Sequence, residues 1–552
     1  MSSKFKSTPV PLDTARGNGA DIYNWNPEDA TFWHKAGYAT ARRNLWVSIP
    51  SLMAGFAVWL YWSTISVQML NLGFSFSKSE LFTLVAIAGF SGATLRIPSS
   101  FFIRPFGGRN TIVFTTALLI IPAIGTGFAL QDKNTPLWLF QLLALLSGIG
   151  GGNFSSSMSN ITFFFPKKKQ GLALGLNAGL GNFGITAMQI ITPFVMTFSI
   201  VGGEPMTLEN TSGTAIGKIA SGSQSYIQNA SFIWLFLLIP LIFLGWFRLN
   251  NLRVAHVSPN PPNLLITCLS ISTMLLIGLV ISSIGLWLLL PEFFNGYGWS
   301  LPKEIVLMLT IVVTVLILKT VPGKIGKSLT HQYEIFNNPN TWVLSLIYTM
   351  TFGSFIGFAA SFPLIIKVIF GYQHLNVNGI LTHSTVNPNG PSALMYAWMG
   401  PFIGALIRPI GGWIADKVGG SIITQICTVV MFISVLSIWY YLTLAYQSET
   451  PENYFVPFFI FFLMLFSAIG IANGSTFRTI ATIFNKEQTG PVLGWVSAIA
   501  AYGAFYIPQT FAEQIDLSTP GDALIFFSIF YGICLIINWF YYLRRNSEYY
   551  NP

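Results

Sequence analysis

Long apolar runs separated by short polar connectors set the pattern of this 552-residue chain. Each run is close to the roughly 20 residues that a helix needs to cross a lipid bilayer, whereas a membrane barrel would show short alternating segments. The pattern therefore predicts an all-α membrane protein with fourteen transmembrane helices. The predicted spans are 44–67, 80–103, 109–130, 137–165, 171–200, 231–249, 263–290, 304–320, 340–369, 393–415, 421–445, 455–485, 489–511 and 523–543.

The order of these spans divides the chain into two sets of six with one pair between them. We expect the central pair to lie outside the two bundles and to line no pathway, because its first span carries no charge. The stretch 371–391, rich in Gly, Asn, His, Thr and Pro, predicts a loop. The predicted divisions are a tail at 1–43, a six-helix bundle at 44–250, a linker with the extra pair at 251–335, a second bundle at 336–545 and a tail at 546–552.

Composition agrees with the apolar pattern and excludes several other classes. Hydrophobic residues make up 52% of the chain and charged residues only 9%, too few for a water-facing surface. The net charge of +9 comes from Lys and Arg in connectors on one side, which places both termini in the cytoplasm of a bacterial cell and requires no nucleic acid. The 3 cysteines lie in apolar runs and the 5 histidines are scattered. We therefore expect no metal, no cofactor and no enzymatic centre.

Two arginines stand inside apolar runs. Residues 92–96 read Gly-Ala-Thr-Leu-Arg, residues 404–408 read Gly-Ala-Leu-Ile-Arg, and a Gly-Gly pair follows Arg96 and Arg408 at the same distance. A guanidinium cannot be neutralised in a protein, and a charge at bilayer depth costs several kcal/mol. The middle of each of the twelve core spans lacks Asp and Glu, so ion pairing does not explain the two charges. We interpret them as the centre of an anion transporter.

The arginines belong to a wider internal repeat. Residues 44–47 return at 340–343, and Asn153 within 147–155 returns as Asn473 within 467–475. Two six-helix halves in parallel repeat are typical of major facilitator transporters. Residues 411–420 resemble the characteristic loop of that superfamily. The resemblance implies a gating role for Asp416, while Arg104 occupies the equivalent position in the first half.

Glycines mark one face of the fifth predicted span. Gly171, Gly175 and Gly179 step by four residues, Gly181 and Gly184 follow, and the second half has Gly494 at the position equivalent to Gly175. In lipid, small residues at such steps let helices approach closely. The stripe is either a close packing surface or a seam along which helices slide during transport. The two amides of this span, Asn177 and Asn182, lie about 140° apart around the helix, so they cannot share one role.

The stretch 171–184 resembles the first signature of the nitrate/nitrite porter family, and 494–503 resembles the second. The resemblance extends over all twelve core helices, is closest to the bacterial NarK type, and leaves the central pair as an addition. It implies a nitrate site clamped by Arg96 and Arg408. It further implies hydrogen bonds from Asn182 and Tyr348, with the rings of Phe154 and Phe352 covering the faces of the planar anion. Tyr348 and Phe352 are four residues apart and share a helix face.

Two guanidiniums facing one cavity repel each other, and a planar oxyanion between them removes that repulsion. We therefore expect a monomer in the inner membrane that imports nitrate in exchange for nitrite by alternating access. The alternative is nitrate–proton symport on the same fold, with a tyrosine, a histidine or the anion itself carrying the proton.

Overall fold

The computed structural model describes residues 20–254, 262–294, 296, 298, 302–377 and 380–552. It is mostly helical, with long helices where the apolar runs predict them. The long helices are α1 (Ala30–Leu72), α2 (Lys78–Ser99), α3 (Gly108–Ala129), α4 (Leu137–Phe164), α5 (Lys167–Val195), α6 (Asn229–Arg248), α7 (Leu264–Leu289), α8 (Lys303–Lys319), α9 (Pro339–Phe370), α10 (Ala393–Val418), α11 (Gly420–Tyr446), α12 (Pro451–Ile483), α13 (Lys486–Ala501 and Gly503–Asp516) and α14 (Asp522–Leu543).

Among the described residues, twelve of these helices are long and apolar enough to cross a membrane. The prediction of fourteen spans is not confirmed for α5 and α8. With 17 residues, α8 is shorter than the roughly 20 that a span requires. Three lysines begin α5, which also contains glycines and four amide side chains. Length and composition therefore support twelve spans directly.

The helices form two bundles that pack against each other. In the first half, α1 packs on α4 and α5, and α2 packs on α4. In the second half, α12 packs on α10 and α11, and α11 packs on α14. Between the halves, α2 and α4 pack on α13, α5 packs on α10, and the last part of α1 packs on α9. The extra helices α7 and α8 pack on each other and on α2, at the side of the bundles.

Short strands cover one end of the helices, which we call the hairpin end. There β2 (Met206–Thr207) pairs with β5 (Gln224–Ser225), and β3 (Ser212–Thr214) pairs with β4 (Gly217–Ile219). The stretch predicted as a loop is an antiparallel hairpin of β7 (Tyr372–Val377) and β8 (Ile380–Val386). The loop prediction is wrong. It gave weight to the turn-forming residues of this stretch and overlooked the strand-forming residues between them.

The described parts of the predicted tails, residues 20–43 and 546–552, lie at the opposite end, which we call the terminal end. Helix α1 already begins at Ala30, and β1 (Asp21–Ile22) pairs in parallel with β6 (Asn251–Leu252) just after α6. The indole of Trp25 donates to the carbonyl of Phe163 at 3.1 Å. At the other terminus, the carbonyl of Pro552 accepts from the backbone N–H of Gly420 at 2.8 Å.

Candidate functional site

Arg96 and Arg408 lie in the centre of the molecule, with 0% and 1% of their surface exposed. The Nε of Arg96 donates to the carbonyl of Gly151 on α4 at 2.8 Å, and its Nη1 donates to the carbonyl of Ser497 on α13 at 3.1 Å. The Nη2 of Arg408 donates to the hydroxyl of Tyr348 on α9 at 2.6 Å. Arg96 therefore joins the two halves, whereas Arg408 bonds within its own half.

Three nitrogen atoms of these guanidiniums are buried and have no hydrogen-bond partner among the described residues. They are Nη2 of Arg96 and Nε and Nη1 of Arg408. Neither arginine forms an ion pair in the described part of the chain, and no Asp or Glu is among its buried side chains. Unpaired buried donors cost about 1–3 kcal/mol each, more when charged. All three are N–H donors on positively charged groups, which is the chemistry that binds a small anion.

A column of aromatic rings separates the two guanidiniums. The ring of Phe352 lies in the middle, 5.1 Å from Cζ of Arg96 and 5.7 Å from Cζ of Arg408. Phe154 adds a second ring at 4.7 Å from Arg96, and Phe477 adds one at 4.7 Å from Arg408. Each ring face attracts a cation by about 0.5–2 kcal/mol, so the column offsets part of the cost of burying the charges.

The rings of Phe154 and Phe352 stack on each other, with centroids 5.4 Å apart and planes 18° apart. A planar anion between two parallel rings would need about 7 Å, twice the 3.5 Å contact distance. The arrangement implied by the family resemblance, with the anion between these two rings, is therefore absent from this conformation. An anion must either move one ring or bind beside the stack.

The helix around Tyr348 is locally widened. A single π-helical turn, Thr349–Gly353, interrupts α9 between Tyr348 and the helix Ser354–Phe370. Such turns often occur at functional sites because they change the direction in which a side chain points. Here the turn stacks the rings of Tyr348 and Phe352 at 5.3 Å and 6° while the Tyr348 hydroxyl accepts from Arg408.

The two amides of α5 have different environments. The Nδ2 of Asn177 donates to the hydroxyl of Ser157 at 3.0 Å, which ties α5 to α4. Asn182 is fully buried, and neither its Nδ2 nor its Oδ1 has a partner among the described residues. It makes no hydrogen bond to either arginine. Asn177 is thus the helix-packing amide, and Asn182 keeps its polar atoms available.

Asn473 is a candidate that the sequence analysis did not assign to the site. It is 1% exposed, and both of its polar side-chain atoms lack partners in the described structure. It lies one helical turn before Phe477, whose ring contacts Arg408 and Tyr348. The internal repeat pairs Asn473 with Asn153, whose Oδ1 is also unpaired, and that pairing was the available signal.

Not all of the predicted glycine positions are closely packed. A Cβ at Gly184 would lie 2.2 Å from the carbonyl of Met53 on α1, and one at Gly181 would lie 2.5 Å from Leu52. At Gly494, a Cβ would lie 2.8 Å from Ser100 of the other half. By contrast, a Cβ at Gly179 would make an ordinary contact at 3.5 Å and one at Gly175 would meet nothing within 4 Å. The surroundings of Gly171 lie outside the described part of the structure.

Asp416 lies in the last turn of α10, at the terminal end. Its Oδ1 pairs with the Nε of Arg478 on α12 at 3.1 Å, and both side chains are largely accessible, 62% and 37% exposed. An exposed pair of this kind contributes at most about 1 kcal/mol. The pair joins two helices of the same half, so in this conformation Asp416 does not link the halves.

Comparison with known proteins agrees with this architecture. Residues 47–508 match the Major Facilitator Superfamily. The solved structure of the proton:xylose symporter XylE bound to 6-bromo-6-deoxy-D-glucose has the same fold, with a TM-score of 0.53 and 13% identity over 92% of this chain and 96% of that one. Tetrameric PepTSo2 is similar, with a TM-score of 0.52 and 12% identity over 90% and 96%.

Sequence relatives define the family more closely. The nitrate/nitrite transporter NarU of Escherichia coli (strain K12) is 34% identical over 551 residues, which cover 95% of this chain and 96% of NarU. The probable nitrate/nitrite antiporter NarK2 of Thermus thermophilus is 33% identical, with coverage of 97% and 99%. These relatives are transporters, as we expected for a chain that is not an enzyme. The chain therefore belongs to the NarK-type nitrate/nitrite porter family of the Major Facilitator Superfamily.

Proposed function

We propose that this chain imports nitrate in exchange for nitrite, and that the transported anion binds between Arg96 and Arg408. One observation carries the proposal: two buried guanidiniums offer three unpaired nitrogens in a core where no described Asp or Glu is buried. The names of the relatives, a nitrate/nitrite transporter and a probable nitrate/nitrite antiporter, support the choice of substrate.

Nitrate and nitrite suit this donor set chemically. Both are planar, carry one negative charge and present oxygens that can each accept from a guanidinium N–H. A guanidinium is a planar fork that pairs with two oxygens at once, which a point charge cannot do. Asn182 and the Tyr348 hydroxyl add neutral hydrogen-bonding groups to the proposed site. Phe154 and Phe352 would cover the bound anion only after their stacked rings move apart.

Exchange follows from the electrostatics of the pair. The Phe352 centroid lies 5.1 Å from Cζ of Arg96 and 5.7 Å from Cζ of Arg408, so the two charges are at most about 11 Å apart. At an effective dielectric constant of 20 they repel by at least about 1.5 kcal/mol. A bound anion cancels that repulsion and lets the halves close around it, whereas two unpaired guanidiniums oppose closure. The carrier then returns only when loaded, so inward transport of one anion requires outward transport of another. Buried carboxylates, which commonly relay protons in symporters, are not found among the described residues.

In the proposed arrangement the chain is a monomer, and all fourteen long helices cross the membrane. In support, α5 packs between α1 and α10 inside the bundle, and α8 packs along α7. The terminal end carries most of the connectors with Lys and Arg, so we place it, with both termini, on the cytoplasmic side of the inner membrane. In the same arrangement, α7 and α8 face lipid and line no pathway, while Asp416 and the glycines of α5 work in gating and helix packing.

The test uses the purified chain in proteoliposomes. Vesicles loaded with nitrite are expected to take up external nitrate, and vesicles without an internal anion are expected to take up little. Equal uptake in both would refute exchange. Uptake into nitrite-free vesicles that depends on a pH gradient would establish proton symport instead. Absence of nitrate and nitrite transport under all these conditions would refute the choice of substrate.

A further inference from the structure

A buried lysine lies far from the arginine pair, at the hairpin end. Lys367 occupies the last turn of α9, and only 6% of its surface is exposed. Among the described residues, its ammonium group makes no hydrogen bond and no ion pair. Placing such a group in the interior is costly unless something compensates its charge. The proposed exchange mechanism gives this lysine no role.

A second lysine approaches from the other half of the molecule. Lys78 begins α2, and its Nζ lies 4.1 Å from the ring centroid of Tyr372, while the Nζ of Lys367 lies 5.4 Å from the same centroid. Lys78 also donates to the carbonyl of His383 on β8 at 2.8 Å. Neither lysine is paired with a carboxylate in the described part of the chain. Two ammonium groups that share one ring therefore create a strongly positive region between the halves.

A small cavity opens beside Lys367. Its volume is about 30 Å³, and both halves line it, with Asn71 and Thr211 from the first and Asn387 and Ser392 from the second. One water molecule needs about 10–15 Å³ of such space, so the cavity has room for two or three water molecules, which one small oxyanion would displace. The nearby carboxylate of Glu452 accepts from Asn387 Nδ2 at 2.7 Å rather than from a lysine. Lys367 is the charged residue among those that line the cavity, and Lys78 approaches it across the Tyr372 ring, so the cavity offers a small anion space beside a lysine side chain.

We propose that Lys367, with Lys78, forms an outer anion site that receives a small monovalent oxyanion before the arginine pair does. Fifteen residues separate Lys367 from Phe352 along α9, a distance of about 22 Å at 1.5 Å per residue. The outer site is therefore separate from the central one. Because Lys78 and Lys367 belong to different halves, parting of the halves at the hairpin end exposes the site to solvent. The outward orientation of the site, its place before the arginine pair and the identity of the anion, nitrate or nitrite, rest on the proposed function.

The test measures nitrate binding to the purified full-length chain by titration calorimetry. The native chain is expected to bind two nitrate ions. The double variant Arg96→Ala with Arg408→Ala, which removes the central clamp, is expected to retain one, and adding Lys367→Met to that variant is expected to abolish binding. One ion on the native chain and none on the double variant would overturn the outer site and leave the proposed function intact. No binding to the native chain would overturn both.

A kinetic measurement on single variants tests the same site without relying on the multiple variants, which could fold poorly. In proteoliposomes, Lys367→Met is expected to raise the KM for external nitrate by roughly 10- to 150-fold, the typical effect of losing one charged hydrogen bond. Lys367→Arg keeps the charge and should restore most of the affinity. Lys133→Met is the matched control, because Lys133 is a lysine of the same end that pairs with Glu209 at 3.1 Å. Equal effects of Lys133→Met and Lys367→Met would indicate a general surface charge effect and refute the site.

Discussion

Replacing Arg96 by lysine tests the central site most directly, because lysine keeps the charge and removes the planar fork. In the structure the three nitrogens of the Arg96 guanidinium have three different environments. Nε bonds Gly151, Nη1 bonds Ser497, and Nη2 has no partner among the described residues. One ammonium group cannot replace all three. If it binds an anion, the two backbone carbonyls lose their charged donors, and if it binds a carbonyl, the anion loses the fork.

The size of the effect follows from that count. A hydrogen bond to a charged group contributes about 1.5–3 kcal/mol. Loss of one such bond to the anion therefore weakens binding by roughly 10- to 150-fold. Loss of the Nη1 bond to Ser497 also removes a link between α2 and α13, the two helices that join the halves at this point. We expect the KM for nitrate to rise by that factor and the maximal exchange rate to fall.

The assay is nitrate uptake into nitrite-loaded proteoliposomes over a range of external nitrate concentrations. Arg544→Lys provides the matched control, since Arg544 is exposed at the end of α14 and stacks on Phe540 at 4.4 Å. That variant should keep native kinetics. An Arg96→Lys protein with native KM and native rate would refute the geometric argument, because it would show that charge alone is sufficient at this position.

Three further predictions concern other parts of the molecule. Asn473→Leu should raise the KM for nitrate about fivefold, which is the effect of losing one neutral hydrogen bond. The melting temperature should stay the same or rise, because the substitution removes a buried unpaired amide. A lower melting temperature with a native KM would show instead that Asn473 has only a structural role. Gly184→Val should prevent stable assembly of α5 on α1, since a Cβ there would lie 2.2 Å from a backbone carbonyl. Gly175→Leu should fold normally, because a Cβ there meets nothing within 4 Å, but it should transport slowly. The melting temperature measures folding and nitrate uptake measures transport. Burial lowers the pKa of His374 to about 4. The unfolded chain therefore binds more protons than the folded one between pH 6.5 and 4, and stability at the hairpin end should fall as pH drops through that window. Hydrogen exchange of β7 and β8 measures this. A His374→Gln variant should lose most of the dependence, and His383, whose pKa burial also lowers, should contribute the rest.

The apolar pattern predicted the long helices well, because crossing a bilayer requires a run of residues that is visible in any local window. It predicted the connectors less well. Strands Tyr372–Val377 and Ile380–Val386 pair within the predicted loop, and α1 begins at Ala30, well before the predicted start of the first span at residue 44. In both places packing against the bundle ends decides the conformation, and that packing involves residues far away in the chain.

The sequence by itself determined the membrane class, the internal repeat and the correspondence of Arg96 with Arg408 within that repeat, since hydropathy and repeats are properties of residue order. Only the tertiary structure decided which atoms remain available. Gly151 and Ser497, which use two of the three nitrogens of Arg96, come from α4 and α13, and the stacking of Phe154 on Phe352 joins opposite halves. Hydrogen-bond satisfaction and ring contact depend on distances of a few ångströms between helices. No periodicity along a single chain encodes those distances, so the free donors of the site emerge only when the two halves are packed together.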